Sequence, residues 1–181
     1  WLFFHAGLCS CLIWFFAGAA CSLCGDIALM LPTRRFVIGM AFFSLAYLAY
    51  SAGFMQISFS INPALLMIAG FVLLPVIAIS QRLCRALVAQ RQRRLVAPTI
   101  IYSGILSLLL VAASSSLTSQ DWAVFPAILA STGALLLFLS DTFLAWNRYI
   151  HPFHQGRLIN IIPYHLGQLL IAYSVVTQSL A

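Results

Sequence analysis

The sequence predicts an all-α, polytopic transmembrane helix bundle of six spans. Three observations carry that reading. The 181-residue chain is 63% hydrophobic and only 7% charged, against roughly 25% charged in ordinary soluble domains, and its mean hydropathy is +1.04. One water-soluble core of this size cannot hide so much apolar surface. The apolar residues also fall into stretches near the length of about 20 residues that a hydrocarbon layer of about 30 Å demands of a helix. Finally, the cations fall only in alternate breaks between those stretches.

Taken in order, the spans are expected near residues 9–31, 35–55, 62–80, 96–114, 122–145 and 158–178. The apolar run from Trp1 to Leu31 is too long for one span, so residues 1–8 read as a lead-in or the tail of an earlier segment. The chain starts without Met and without the basic region of a signal peptide. It is therefore expected to be one transmembrane domain, residues 1–181, truncated at its N-terminus. "LPTRR" (31–35) makes the first turn, and "SFSINP" (58–63) the second, with Pro63 opening the third helix. "QRLCRALVAQRQRR" (81–94) is a basic loop or surface helix suited to anionic headgroups. "SSSLTSQD" (114–121) is a polar loop, with Asp121 at an N-terminal helix position that favours a carboxylate. "NRYIHPFHQGR" (147–157) forms the last connection. Pro75, Pro126 and Pro163 are expected to kink helices rather than end them.

All nine cations are Arg; Lys and Glu are absent. Arg34 and Arg35 lie in the first connection, Arg82, Arg85, Arg91, Arg93 and Arg94 in the third, and Arg148 and Arg157 in the fifth. In a six-span serpentine these loops share one side, which the positive-inside rule makes cytoplasmic, leaving both ends of the chain outside the cell membrane. The net charge of +6 thus points to membrane lipids as partners and not to nucleic acid. Oligomeric state leaves no mark in the sequence. "CSLC" (21–24) reads as small packing residues, because a metal or redox site wants more ligands and polar access. His151 and His154 lack further ligands, so no metal and no cofactor is expected.

Two acids sit inside spans. Asp26 precedes Arg34 by eight residues and Asp141 precedes Arg148 by seven, which places both roughly 10–12 Å inward of the arginines. A charge at mid-membrane costs about 2.5–3.5 kcal/mol, and such residues by default face a bundle interior or wet cavity and act there. Gly18 precedes Asp26, and Gly133 precedes Asp141, by eight residues. Gly18, Ser22 and Asp26 share one helix face, a spacing that lets another helix approach. The following helices carry "YLAY" (47–50) and "YHLGQ" (164–168). Together these suggest a parallel internal repeat of helices one–two and five–six, with the two Asp facing one another across a shared cavity. The alternative is that each Asp is structural, hydrogen-bonding a neighbouring helix or held by Arg34 or Arg148.

The stretches "LCGDIALMLPTRRFVIGMAFFSLAYLAYSAGF" (23–54) and "FLSDTFLAWNRYIHPFHQGRLINIIPYHLGQLLIAY" (138–173) resemble the YhhN-like lysoplasmalogenase family of membrane proteins, in order and spacing over essentially the whole chain. That family usually has eight spans, so the resemblance implies that two are missing here. Tyr47 stands where the family often has His, and His165 where Tyr is common. The resemblance implies hydrolysis of the vinyl-ether bond of lysoplasmalogen, giving a fatty aldehyde and a glycerophospho-alcohol. Protonation at carbon yields an oxocarbenium-like cation that water attacks. Glycosidases meet a related cation with two carboxyl groups, and Asp26 and Asp141 suit that role, one holding a proton while the other is ionised. Asp141 is assigned as acid and Asp26 as base. Tyr47, Tyr50, Tyr164 and Gln168 are candidates to orient the acids or water. Asn147 is a candidate for the headgroup or a helix cap, and Arg34, Arg35 and Arg148 for a lysophospholipid phosphate. A small proton-coupled transporter or a lipid-binding protein would use the same paired acids.

Overall fold

Among the described residues, six helices form where the apolar stretches lie: α1 (Ser10–Met30), α2 (Phe36–Ile57), α3 (Pro63–Ala89), α4 (Val96–Ser115), α5 (Val124–Tyr149) and α6 (Gly156–Gln178). All six are long and apolar enough to cross a membrane; the chain is a membrane protein. The computed structural model describes residues 10–31, 36–57, 59, 61–152 and 154–180, with the side chains of residues 10 and 11 excepted. Arg34 and Arg35, the lead-in at 1–8 and Cys9 lie outside the described residues.

Two helices outrun their expected ends. α3 continues nine residues past residue 80, to Ala89, so Arg82 and Arg85 ride on a helix and not in a loop. Leu83 and Leu87 of this extension are buried against Tyr149, and that apolar contact carries the helix through its basic stretch. Arg91 then reverses the chain in the left-handed region (φ 58), and Arg93–Leu95 form a 3₁₀ turn into α4. α5 likewise runs on to Tyr149. Asp121 is not at the helix start: α5 begins three residues later, after Ala123. The Asp121 N–H donates to Ser119 Oγ (3.0 Å) and its carbonyl accepts from Gln178 Nε2 (2.9 Å). Pro63 opens α3 behind the cap Asn62, whose side chain accepts from Leu65 N at 2.8 Å. α3 and α6 pass through Pro75 and Pro163 without ending, and Pro126 falls in the first turn of α5, where its missing N–H loses nothing.

The two ends of the bundle are distinct. Phe36, Leu83, Leu87, Val96 and Tyr149 cluster at one end, so the start of α2, the end of α3, the start of α4 and the end of α5 meet there. At the other end Asn62 Nδ2 donates to the Thr118 carbonyl (3.4 Å), and Gln178 Oε1 accepts from Ala123 N (3.0 Å). The described arginines therefore gather at one end.

Two hairpins, α1–α2 and α5–α6, are the most intimately packed pairs, while α4 packs on α2, α3 and α5. α1 buries one stripe, Leu12, Phe15, Gly18, Ser22, Gly25 and Ala28, the 3.6-residue period of a helix face. Glycines allow the approach. A Cβ on Gly133 would lie 2.9 Å from the Gly167 carbonyl oxygen, and one on Gly18 would lie 2.5 Å from the Tyr50 ring. Small residues take over where apolar surfaces offer no hydrophobic drive within lipid. Hydroxyls inside the spans are satisfied by their own helix, as with Ser44 to the Met40 carbonyl (2.8 Å), Ser51 to Tyr47 (2.7 Å) and Ser107 to Ser103 (2.7 Å), because no water is present there to do so.

Candidate functional site

Both intramembrane acids are met by tyrosines, and each tyrosine comes from the other hairpin. Tyr47 of α2 donates to Asp141 Oδ2 of α5 at 2.6 Å, and Tyr164 of α6 donates to Asp26 Oδ2 of α1 at 2.8 Å. A buried phenol needs a partner for its hydroxyl, and a carboxyl in hydrocarbon needs donors; each pairing supplies both. The next turn of the same helices joins as well. Tyr50 donates to Gln168 Oε1 (2.6 Å), and Gln168 Nε2 donates to Ser22 Oγ (3.0 Å). Asp26, Tyr164, Gln168, Tyr50 and Ser22 thus belong to one polar layer across α1, α2 and α6.

Asp141 has a further partner that the sequence reading missed. Tyr102 of α4 donates to the same oxygen, Oδ2, at 2.5 Å. Its segment, "TIIYSGIL" (99–106), reads as one more apolar turn. The only local signal was one more hydroxyl on a helix that already carries Thr99, Ser103 and Ser107, which by itself names no partner.

The expectation that the acids face one another across a shared cavity is not met. Asp141 and Tyr102 line a narrow, open-mouthed cavity of about 60 Å³. Asp26, Tyr50, Asn147, Tyr164 and Gln168 are not among its lining residues. Phe43 stands beside both tyrosine pairings. Its ring stacks on Tyr47 (centroids 6.3 Å) and meets Tyr164 edge-on (5.8 Å), and it borders the cavity. Gly25, beside Asp26, makes room for it: a Cβ there would lie 2.9 Å from the ring. Asp26 nonetheless remains within electrostatic reach of Asp141.

The cavity wall is mostly apolar, with Leu29, Met40, Phe43, Val76, Leu106 and Phe138 among its residues, relieved by Ser80, Thr99, Ser103 and Thr142. It extends from Leu83, Phe36 and Tyr149 at the arginine-bearing end to Val76, Leu106 and Phe138. Farther along, Leu109, Ala112, Ala113, Ala127, Ala130 and Ala134 are buried in the main core. Arg148 lays its guanidinium over the Phe36 ring, 4.1 Å from the centroid, beside a residue of the cavity wall. No arginine pairs with Asp26 or Asp141 among the described residues. Asn147 packs on the first turn of α6, where a Cβ on Gly156 would lie 2.7 Å from its amide. Cys21 and Cys24 are free, and no group of metal-binding side chains occurs among the described residues.

The family model described as the YhhN family matches residues 2–175. Curated relatives named "Lysoplasmalogenase TMEM86B" include that of Sus scrofa, 32% identical over 155 residues, which is 86% of this chain and 60% of the relative. That of Homo sapiens is 34% identical over 156 residues (85% and 59%), and that of Rattus norvegicus 30% identical over 162 residues (89% and 61%). The matched region thus spans about three fifths of the length of these relatives. No solved structure matches the chain.

Proposed function

The chain belongs to the YhhN family, and on that premise we propose that it hydrolyses the vinyl-ether bond of lysoplasmalogen or a related ether lysolipid by acid–base catalysis with Asp141 and Asp26. The observation that carries the reading is a carboxyl group, tethered by two phenols, in the wall of an apolar cavity inside a membrane bundle. The relatives' name supports the substrate class.

In this reading the aliphatic chain lies along the apolar wall and the vinyl ether rests against Asp141. Asp141 gives its proton to the β-carbon of the double bond, leaving an oxocarbenium ion and a carboxylate beside it. Water adds to the α-carbon and its proton passes to Asp26 as the carboxylate base; that proton then returns through water to Asp141, which restores both groups for the next turnover. The hemiacetal then collapses, its hydroxyl proton passing to the glycerol oxygen, and releases aldehyde and glycerophospho-alcohol. A cavity in low dielectric strengthens each of these electrostatic contacts. Arg148 follows Asp141 by seven residues, roughly 10 Å along the helix, on the side where the headgroup phosphate lies when the chain enters the cavity. Arg34 and Arg35 are proposed to share that phosphate, with the arginine-bearing loops cytoplasmic.

The carrier alternative fits less well. A carrier needs a cavity that opens to either face, whereas this one is backed by alanine-rich packing between α4 and α5. The test is purified protein in lipid vesicles with 1-alkenyl lysophosphatidylcholine and lysophosphatidylethanolamine, following aldehyde release. The wild type is expected to release aldehyde and Asp141→Asn to be inactive. Equal turnover in the wild type, Asp26→Asn and Asp141→Asn would end the two-carboxylate reading. Proton-coupled uptake without aldehyde would move the function to the carrier.

A further inference from the structure

Tyr47 and Tyr102 approach Asp141 from different helices, yet both reach the same oxygen. Tyr47 Oη stands 2.6 Å and Tyr102 Oη 2.5 Å from Oδ2, with the two rings 6.0 Å apart and tilted by 53°. Tyr47 is fully buried. Tyr102 borders the cavity along with Thr99, Ser103 and Leu106 of the same helix. Every hydrogen bond that the described residues make to Asp141 goes to Oδ2. A carboxyl oxygen has two in-plane lone pairs, and two phenol donors use both.

We propose that Tyr102 is a positioning residue which, with Tyr47, fixes the Asp141 carboxyl so that Oδ1 is the oxygen offered to a substrate in the cavity. The proposal rests on the reading of Asp141 as the acid and deepens it. With both lone pairs of Oδ2 engaged, the proton of the neutral carboxyl must sit on Oδ1. Transfer from Oδ1 leaves an anion whose charge spreads to Oδ2, where two donors already stand at hydrogen-bond distance. No dipole has to turn as the charge develops, which is the condition under which such donors lower a barrier most. The pair also holds the carboxyl at one torsion, so the acidic oxygen keeps its aim in a cavity whose apolar wall offers few other polar anchors. Asp26 has one tyrosine donor where Asp141 has two, so this fixing is peculiar to the acid that borders the cavity.

The test uses the purified full chain in vesicles and two readouts on Tyr102→Phe, which removes one oxygen and keeps the ring. The first is aldehyde release from a 1-alkenyl lysophospholipid. We expect kcat to fall by about 10–100-fold, below the effect of about 10²–10³ seen for a full oxyanion donor, with KM unchanged because the cavity wall is intact. The second is the infrared carboxyl band of Asp141, identified as the band that Asp141→Asn removes. Loss of a donor to Oδ2 is expected to move its C=O stretch to higher frequency, and this arm needs no turnover. A band unmoved in Tyr102→Phe overturns the proposal, as does a moved band with unchanged kcat. A rise in KM with kcat unchanged also overturns it, since Tyr102 would then serve only as cavity wall. If Asp141→Asn keeps full activity, the acid assignment fails, and the infrared arm still decides whether Tyr102 fixes the carboxyl.

Discussion

Asp26 and Asp141 sit in equivalent places and have different surroundings. Each lies on the first helix of a tightly packed hairpin, eight residues after a glycine. Each accepts a phenol from the second helix of the other hairpin: Tyr47 is 21 residues beyond Asp26, and Tyr164 is 23 beyond Asp141. The exchange is what a parallel repeat would produce, each half supplying the donor for the other half's acid. The difference arises from α3 and α4. They pack on the Asp141 side, where α4 adds Tyr102 and the two helices wall a cavity. Asp141 is buried there, while Asp26 is half-buried. Matching positions in the two hairpins therefore give one acid that borders the cavity and one that does not.

The largest effect that separates the two is catalytic. Asp141→Asn is expected to lower aldehyde release by about 10³–10⁴-fold, within the usual range for a general acid or base, and Asp26→Asn by about 10²-fold, at its lower edge. Comparing kcat of the two variants at matched folded protein tests this, and the reverse order would break the comparison.

Next come the glycines. Gly133→Ala sets a methyl against the Gly167 carbonyl oxygen and the Ile171 backbone nitrogen, neither of which can swing aside. It is expected to cost about 1–3 kcal/mol through overpacking, read as a lowered unfolding midpoint in detergent. Gly18→Ala meets only the Tyr50 ring; it should cost less stability and act by displacing the Tyr50–Gln168 bond.

The tyrosine pairings are expected to be worth about 1 kcal/mol each in the membrane. Tyr164→Phe and Tyr47→Phe should lower the unfolding midpoint alike, with Tyr47→Phe losing more turnover because its partner borders the cavity. Equal loss of turnover would make the two acids functionally equivalent. The smallest effect belongs to Arg148→Ala. It forfeits the Phe36 contact, about 0.5–1 kcal/mol at an exposed site, and is expected to raise KM for the charged lysolipid while leaving kcat in place.

Much of this was legible in the chain. Hydropathy located six spans, and each described break overlaps a turn named from Pro, Ser and Arg, although the fourth runs on to Ala123. The limits that moved, at Ala89 and Tyr149, moved because Leu83, Leu87 and Tyr149 bury one another, a contact between chain segments more than 60 residues apart. Asp26, Asp141, Tyr47, Tyr50, Tyr164 and Gln168 were singled out and do meet in polar layers. Tyr102 was not, because it is one hydroxyl among several along α4 and its partner lies 39 residues away.

The sequence by itself determined the six helices, most of their limits and the end of the bundle that carries the described arginines. Those are properties of a single segment and its hydropathy, and a bilayer reads them segment by segment. Only the tertiary structure decided which tyrosine meets which acid, that Phe43 stands beside both pairings, and that the cavity opens on Asp141 alone. Those outcomes depend on how each helix is rotated and which neighbour it meets. In a bundle where nearly every surface is apolar, that choice falls to a few glycines that let backbones close and a few hydroxyls that must find partners.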